Sequence, residues 1–121
     1  MFTNYGKQAI TWAIGSDITN NFISYLAIGS GSGTAVVGDT TLRGEVQRIA
    51  ITGSPNFSTE RKVGFQADFN SIIISGITLS EFGLIASGVA LTGSIWQREA
   101  FGSIAFDGSN ELQIITTLEV L

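Results

Sequence analysis

Apolar residues recur along this chain at two different spacings. Near the start the spacing is helical: Ile10 and Ile14 stand four apart, which places both on one face of a helix over 4–14. Asn4 sits where its side-chain oxygen caps the first turn, Gly6 weakens that start, and Gly15 is the stop signal. Trp12 falls off the stripe, facing either a partner or the core. Asp17 and Thr19 to Asn21 read as a connection.

From Phe22 onward the spacing changes to two. Phe22 to Ile28 predicts a strand with Ile23, Tyr25 and Ala27 on one face and Leu26 and Ile28 on the other, hence buried from both sides. The loop Gly29 to Gly38 follows. Asp39 is then placed to cap a turn of helix carrying Leu42 and Val46, four apart on the core side. Gln47 to Thr52 predicts a strand ended by Gly53-Ser54-Pro55-Asn56, a turn built on the only proline. Over Lys62 to Asn70, Val63, Phe65, Ala67 and Phe69 share one face while Gln66 and Asp68 share the other, the mark of a strand with one wet side. Ile72, Ile73, Ile74 and Ile77 make an apolar stretch around Gly76. Leu79 to Ala86 and Ile95 to Phe106 predict further strands, separated by Ser87-Gly88 and Thr92-Gly93-Ser94. Asp107-Gly108-Ser109-Asn110 is the strongest hairpin-type turn signal. The last run, Glu111 to Leu121, alternates again, with Leu112, Ile114, Leu118 and Val120 inward.

Turn signals at intervals of roughly ten residues predict a mainly β, antiparallel sandwich or barrel-like fold. The expected organisation is one domain over 1–121, with the helix at 4–14 and the β-sandwich at 22–121. A chain of this length buries roughly two-thirds of its unfolded surface, enough for a core without staples.

Composition narrows the function. Charged residues make up only 13% of the chain against 44% hydrophobic ones, so much of the surface is neutral Ser, Thr, Asn and Gly. That suits a subunit covered by neighbours. The net charge is −4, and the six bases are scattered, so direct nucleic-acid binding is not expected. No membrane partner is expected either: nothing reaches about 18 unbroken apolar residues, and no polybasic or lipidation signal appears. The N-terminal MFTNYGKQAITW lacks the basic lead and apolar core of a secretory signal, so export by the general pathway is not expected. Cysteine and histidine are both absent, which removes thiolate nucleophiles, zinc–cysteine sites and the commonest general base.

The remaining candidate chemistry is thin. Gly29-Ser30-Gly31-Ser32-Gly33-Thr34 has the composition of a phosphate cradle but no following lysine and no βαβ context, so no nucleotide or other cofactor is expected. Glu81 and Glu99 are the pair that could flank a sugar as acid and base. Each lies on an expected strand near a basic residue, which favours an ion pair or a hydrogen bond to backbone, and the chain reads as a non-enzyme. Trp12 and Trp96 are the candidates for stacking on a sugar face; Phe65, Phe69, Phe82, Phe101 and Phe106 sit at core positions. The expected contact set is Trp12, Gly29, Gly31, Gly33, Arg43, Glu45, Arg48, Trp96 and Arg98, with Arg43, Glu45 and Arg48 tying down the return of the glycine loop.

The series Tyr25, Ala27, Gly29, Gly31, then Asp39, Leu42, Glu45 and Arg48, resembles small virion proteins of tailed bacteriophages. Glu81-Phe82-Gly83-Leu84, Gln97-Arg98 before Phe101, and the alternating last strand fit the same resemblance. It implies a structural protein of the virion, assembled in the host cytoplasm, that decorates the capsid, is a head-fibre component, or forms part of the collar, tail fibre or baseplate. The implied partners are further copies of the chain, a trimer by analogy, and other virion proteins. The rival reading is a carbohydrate- or host-receptor-binding module of a tail fibre that binds a host-surface glycan. The absence of a fibre repeat argues against a long shaft.

Overall fold

Thr3, rather than Asn4, caps the helix. In the computed structural model the Gly6 N–H donates to Thr3 Oγ1 at 3.0 Å and the Lys7 N–H to the Thr3 carbonyl at 3.0 Å, while the Asn4 N–H turns away to the Val37 carbonyl. The structure describes residues 1–14, 23–52, 62–86 and 95–119, with side chains in the helix described as far as Thr11. The helix, α1, spans Asn4–Ile14, as the spacing predicts. Its buried positions are Gly6 and Ala9, whereas Ile10 is 39% exposed. Small residues set this face because the helix lies against β5 so closely that a Cβ at Gly6 would meet the Trp96 carbonyl at 2.7 Å.

Six strands follow among the described residues: β1 Tyr25–Gly29, β2 Glu45–Ala50, β3 Lys62–Phe69, β4 Thr78–Ile85, β5 Ile95–Ala105 and β6 Leu112–Glu119. They form a four-stranded antiparallel sheet in the order β2-β1-β4-β5, faced by a two-stranded antiparallel sheet of β3 and β6. The fold is an open sandwich with the helix packed against β5, an edge strand of the larger sheet.

β1 is the pivot. Leu26, Ala27 and Ile28 are wholly buried, as expected of a strand covered on both sides. Leu26 and Ile28 enter the inter-sheet core with Phe65, Ala67, Phe69, Ile74, Leu79 and Leu84; Ala27 joins Leu42, Ile85 and Ile95 in a second apolar cluster. Each large side chain buried this way contributes about 1.5–3 kcal/mol. The smaller sheet keeps the predicted alternation, with Phe65, Ala67 and Phe69 inside and Asp68 outside.

The structure corrects the expectations at Asp39 and at Asp107–Asn110 and gives the Ile72–Ile77 stretch its form. No helical turn follows Asp39: the segment makes tight turns and enters β2 at Glu45, with Leu42 buried and Val46 37% exposed. The Ile72–Ile77 stretch is a chain of turns started by Asn70, whose Oδ1 accepts from the Ile72 and Ile73 amides; Ile74 is buried and Ile72 is 85% exposed. The Asp107–Asn110 turn, with Gly108 at φ +93°, makes no hairpin: β5 pairs with β4 and β6 with β3, so this turn carries the chain from one sheet to the other. The expected stop at Gly15, the connection before Phe22, the turns at 53–56, 87–88 and 92–94, and Val120 lie outside the described residues.

Candidate functional site

The glycine loop is held from beneath by a buried carboxylate. Residues 30–44 connect β1 to β2, and the Ser30 N–H donates to the Gly44 carbonyl at 2.9 Å, closing the neck of the loop. β4 runs beside β1 with Glu81 opposite Gly29, and Glu81 is fully buried. Its carboxylate accepts the amides of Gly31 (2.8 Å), Arg43 (3.0 Å) and Gly44 (2.7 Å), and Arg98 Nε of β5 at 2.8 Å. Ser80 Oγ adds a bond to the Gly31 carbonyl at 2.6 Å.

Arg98 is equally buried and continues the cluster outward. Its Nη1 donates to the Gly33 carbonyl at 3.2 Å and lies 3.6 Å from Asp39 Oδ2. Asp39 accepts the Val36 amide at 2.9 Å and faces Arg43 Nη2 at 3.3 Å. Arg43 in turn donates to the carbonyls of Ser32 (3.2 Å) and Thr34 (3.0 Å). Two carboxylates and two guanidiniums thus reach both limbs of the loop, replacing the secondary-structure bonds that a glycine-serine segment lacks.

Burial pushes the Glu81 carboxyl up, but the Arg43 amide, the Arg98 guanidinium and the Gly44 and Gly31 amides outweigh it and hold the group below the usual glutamate range. Asp39 behaves alike: burial raises it, and the Val36 amide, Arg43 and Arg98 bring it below its ordinary value. Groups depressed in the folded state contribute stability that is complete above their unfolded values and is lost as pH falls through the folded ones. The urea midpoint should therefore hold level down to about pH 5 and fall below about pH 4, near the unfolded carboxylate values. A Glu81→Gln variant should flatten that fall. Identical acid limbs for the two proteins would show that Glu81 carries none of the dependence.

This bonding leaves Glu81 little to offer a substrate. In the β4–β5 ladder Glu81 lies opposite Ala100 while Glu99 lies opposite Phe82, so the two carboxylates leave the sheet on opposite faces. Glu99 bonds to the Met1 amino group and accepts Gln97 Nε2 at 3.0 Å. Burial raises its carboxyl, and the amino terminus, Gln97 and Arg98 bring it below the ordinary value. Among the described residues no three carboxylates gather as a metal-ligand set.

The expected contact residues divide by position. Gly31, Gly33, Arg43 and Arg98 belong to the loop cluster, and Gly29 is buried beside it; Arg98, fully buried, faces the interior rather than a neighbour. Glu45 and Arg48 pair with each other along β2 (2.8 and 2.5 Å) and are also largely buried. Of the three residues expected to tie down the loop, Arg43 bonds directly to its carbonyls. Trp96 is half-buried, its ring 6.0 Å from that of Phe2 and tilted by 58°. Trp12 lies in α1, and its side chain is outside the described residues.

Glu81 makes the ion pair and backbone bonds expected of it; which loop it anchors is the part that the sequence does not name, although a lone carboxylate inside the apolar run Leu79 to Ile85 is a signal of a buried, bonded acid. The N-terminal segment was missed. Phe2 bridges Gln97, the Thr3 amide donates to the Trp96 carbonyl at 2.9 Å, and the Arg98 amide donates to the Met1 carbonyl at 3.1 Å, covering the first half of the β5 edge. No protein-family model matches this chain, and comparison with curated proteins finds no match.

Proposed function

We propose that the chain is a non-enzymatic building block of a tailed-virus particle, an oligomer that decorates the capsid or forms part of the collar, tail or baseplate. One observation supports this reading above the others. Four of the residues that carry the sequence resemblance, Gly31, Asp39, Glu81 and Arg98, meet in one bonded cluster whose work is to shape a surface loop. Rigid loops on a β-sandwich suit a subunit that must present a fixed surface to neighbours. The low charge of the chain points the same way.

Particles purified on a density gradient from the producing culture are the test. The protein should co-migrate with them at a fixed copy number, and Arg48→Ala, which leaves the largely buried Glu45 without this partner, should lower its occupancy. Protein found only in the soluble fraction would overturn the reading, and cleavage of a capsule or cell-wall polysaccharide by the pure chain would overturn its non-enzymatic part.

A further inference from the structure

The two sheets are joined on one side and open on the other. Between β2 and β3 the Thr52 amide donates to the Gln66 carbonyl at 2.7 Å. Between β5 and β6 no backbone bond is made among the described residues. A cavity of about 260 Å³ opens there, lined by Leu79, Phe82, Phe101, Ile104, Leu112 and Ile114. The consequence shows in burial. The inward side chains of β3, from Phe65 to Phe69, are at most 6% exposed, whereas Leu112, Ile114, Thr116 and Leu118 of β6 are only half-buried. Ile104 is 48% exposed. Among the described residues the smaller sheet has two strands against four in the larger, and the outer backbone of β6 pairs with no other described strand.

We infer that the open seam between β5 and β6 receives an extended segment of a different protein, which pairs with the edge of β6 and sets alternate apolar side chains into the cavity. An unpaired edge beside an apolar groove is what strand addition requires: main-chain bonds give affinity and the groove reads alternate residues. Charge chooses the occupant. Phe106 and Leu112 at one end of the seam are each followed or preceded by an exposed carboxylate, Asp107 and Glu111. An extended segment of a second copy is poorly suited to meet them: among the described residues Arg43, Arg48 and Arg98 spend their charge on internal carboxylates, Lys62 lies 3.9 Å from Glu119, and Lys7 sits on the helix α1 rather than in a strand. The segment therefore carries Lys or Arg where it passes this end, at its own C-terminal end if it runs antiparallel to β6. This assignment stands apart from the virion reading, since it concerns the open sandwich itself.

The probe is an acetylated, amidated nonapeptide that alternates threonine and valine and ends in two lysines, added to the isotopically labelled full chain. Amide shifts should concentrate in residues 100–106 and 112–119. The same peptide ending in two glutamates should bind at least about tenfold more weakly. Ile104→Asp, which sets a charge on the cavity wall, should weaken the lysine peptide by at least about tenfold. Equal binding of the two peptides to the wild-type protein, or shifts elsewhere, would overturn the proposal without recourse to any variant. So would a concentration-dependent dimer with cross-protomer contacts at β6, because the occupant would then be a second copy.

Discussion

Glu81→Ala should destabilise the fold by about 3–5 kcal/mol, the loss expected when one partner of a buried ion pair is removed. The substitution does three things at once. It leaves the guanidinium of Arg98, fully buried, with only the Gly33 carbonyl and the more distant Asp39. It strips the Gly31, Arg43 and Gly44 amides of their acceptor. It also empties space beneath the neck of the loop. The measurement is urea unfolding, read as a lower midpoint at unchanged slope. The double variant Glu81→Ala/Arg98→Leu should cost less than the sum of the two singles, because removing both charges spares the penalty of stranding one. A single-variant midpoint within about 0.5 kcal/mol of wild type, the range of ordinary surface substitutions, would mean that the cluster does not hold the fold.

Gly31→Ala carries the second large effect, by about 1–3 kcal/mol through overpacking. A Cβ at this position would run into Glu81 Oε2 and would stand 2.6 Å from Arg43 Cβ and 2.7 Å from the Gly44 nitrogen. These atoms cannot yield separately, since the Gly44 and Arg43 amides are both bonded to Glu81. The neck must open, so hydrogen exchange at the Arg43 and Gly44 amides should quicken along with the fall in stability. Gly38 in the same loop is the control. A Cβ there meets nothing within 4 Å, and Gly38→Ala should stay within about 0.5 kcal/mol of wild type. Equal costs at the two glycines would show that the loss comes from glycine flexibility in general rather than from the packed neck.

The Gly31 effect also explains why the loop reads poorly from sequence. A run of glycines and serines resembles a flexible arm, and only the neighbours brought in from β4 and β5 make Gly31 a packing position. The Arg43 contribution was legible because its carbonyl partners, Ser32 and Thr34, lie within the same stretch. Glu81 and Arg98 lie 50 and 65 residues from their loop partners Gly31 and Gly33, and no local pattern pairs them. The helix shows a different failure. Its span was readable from the spacing of Ile10 and Ile14, but its buried side was not, because close approach to β5 rewards Gly6 and Ala9 over a larger side chain.

By itself the sequence determined the β class, the helix, the alternation in β3 and β6 and the two-sided burial of β1. Each of these follows from a periodicity that local geometry imposes on any chain. The tertiary structure decided what periodicity cannot encode. It sent the chain between sheets at Asp107–Asn110, where the turn chemistry alone suggests a hairpin, because β6 finds its partner in β3. It left β6 without a second partner strand among the described residues, since the width of a sheet depends on strands distant in the chain. And it turned Glu81 from a candidate acid into the anchor of the loop, because a buried carboxylate must find donors, and the amides of the loop neck were the donors the fold placed within reach.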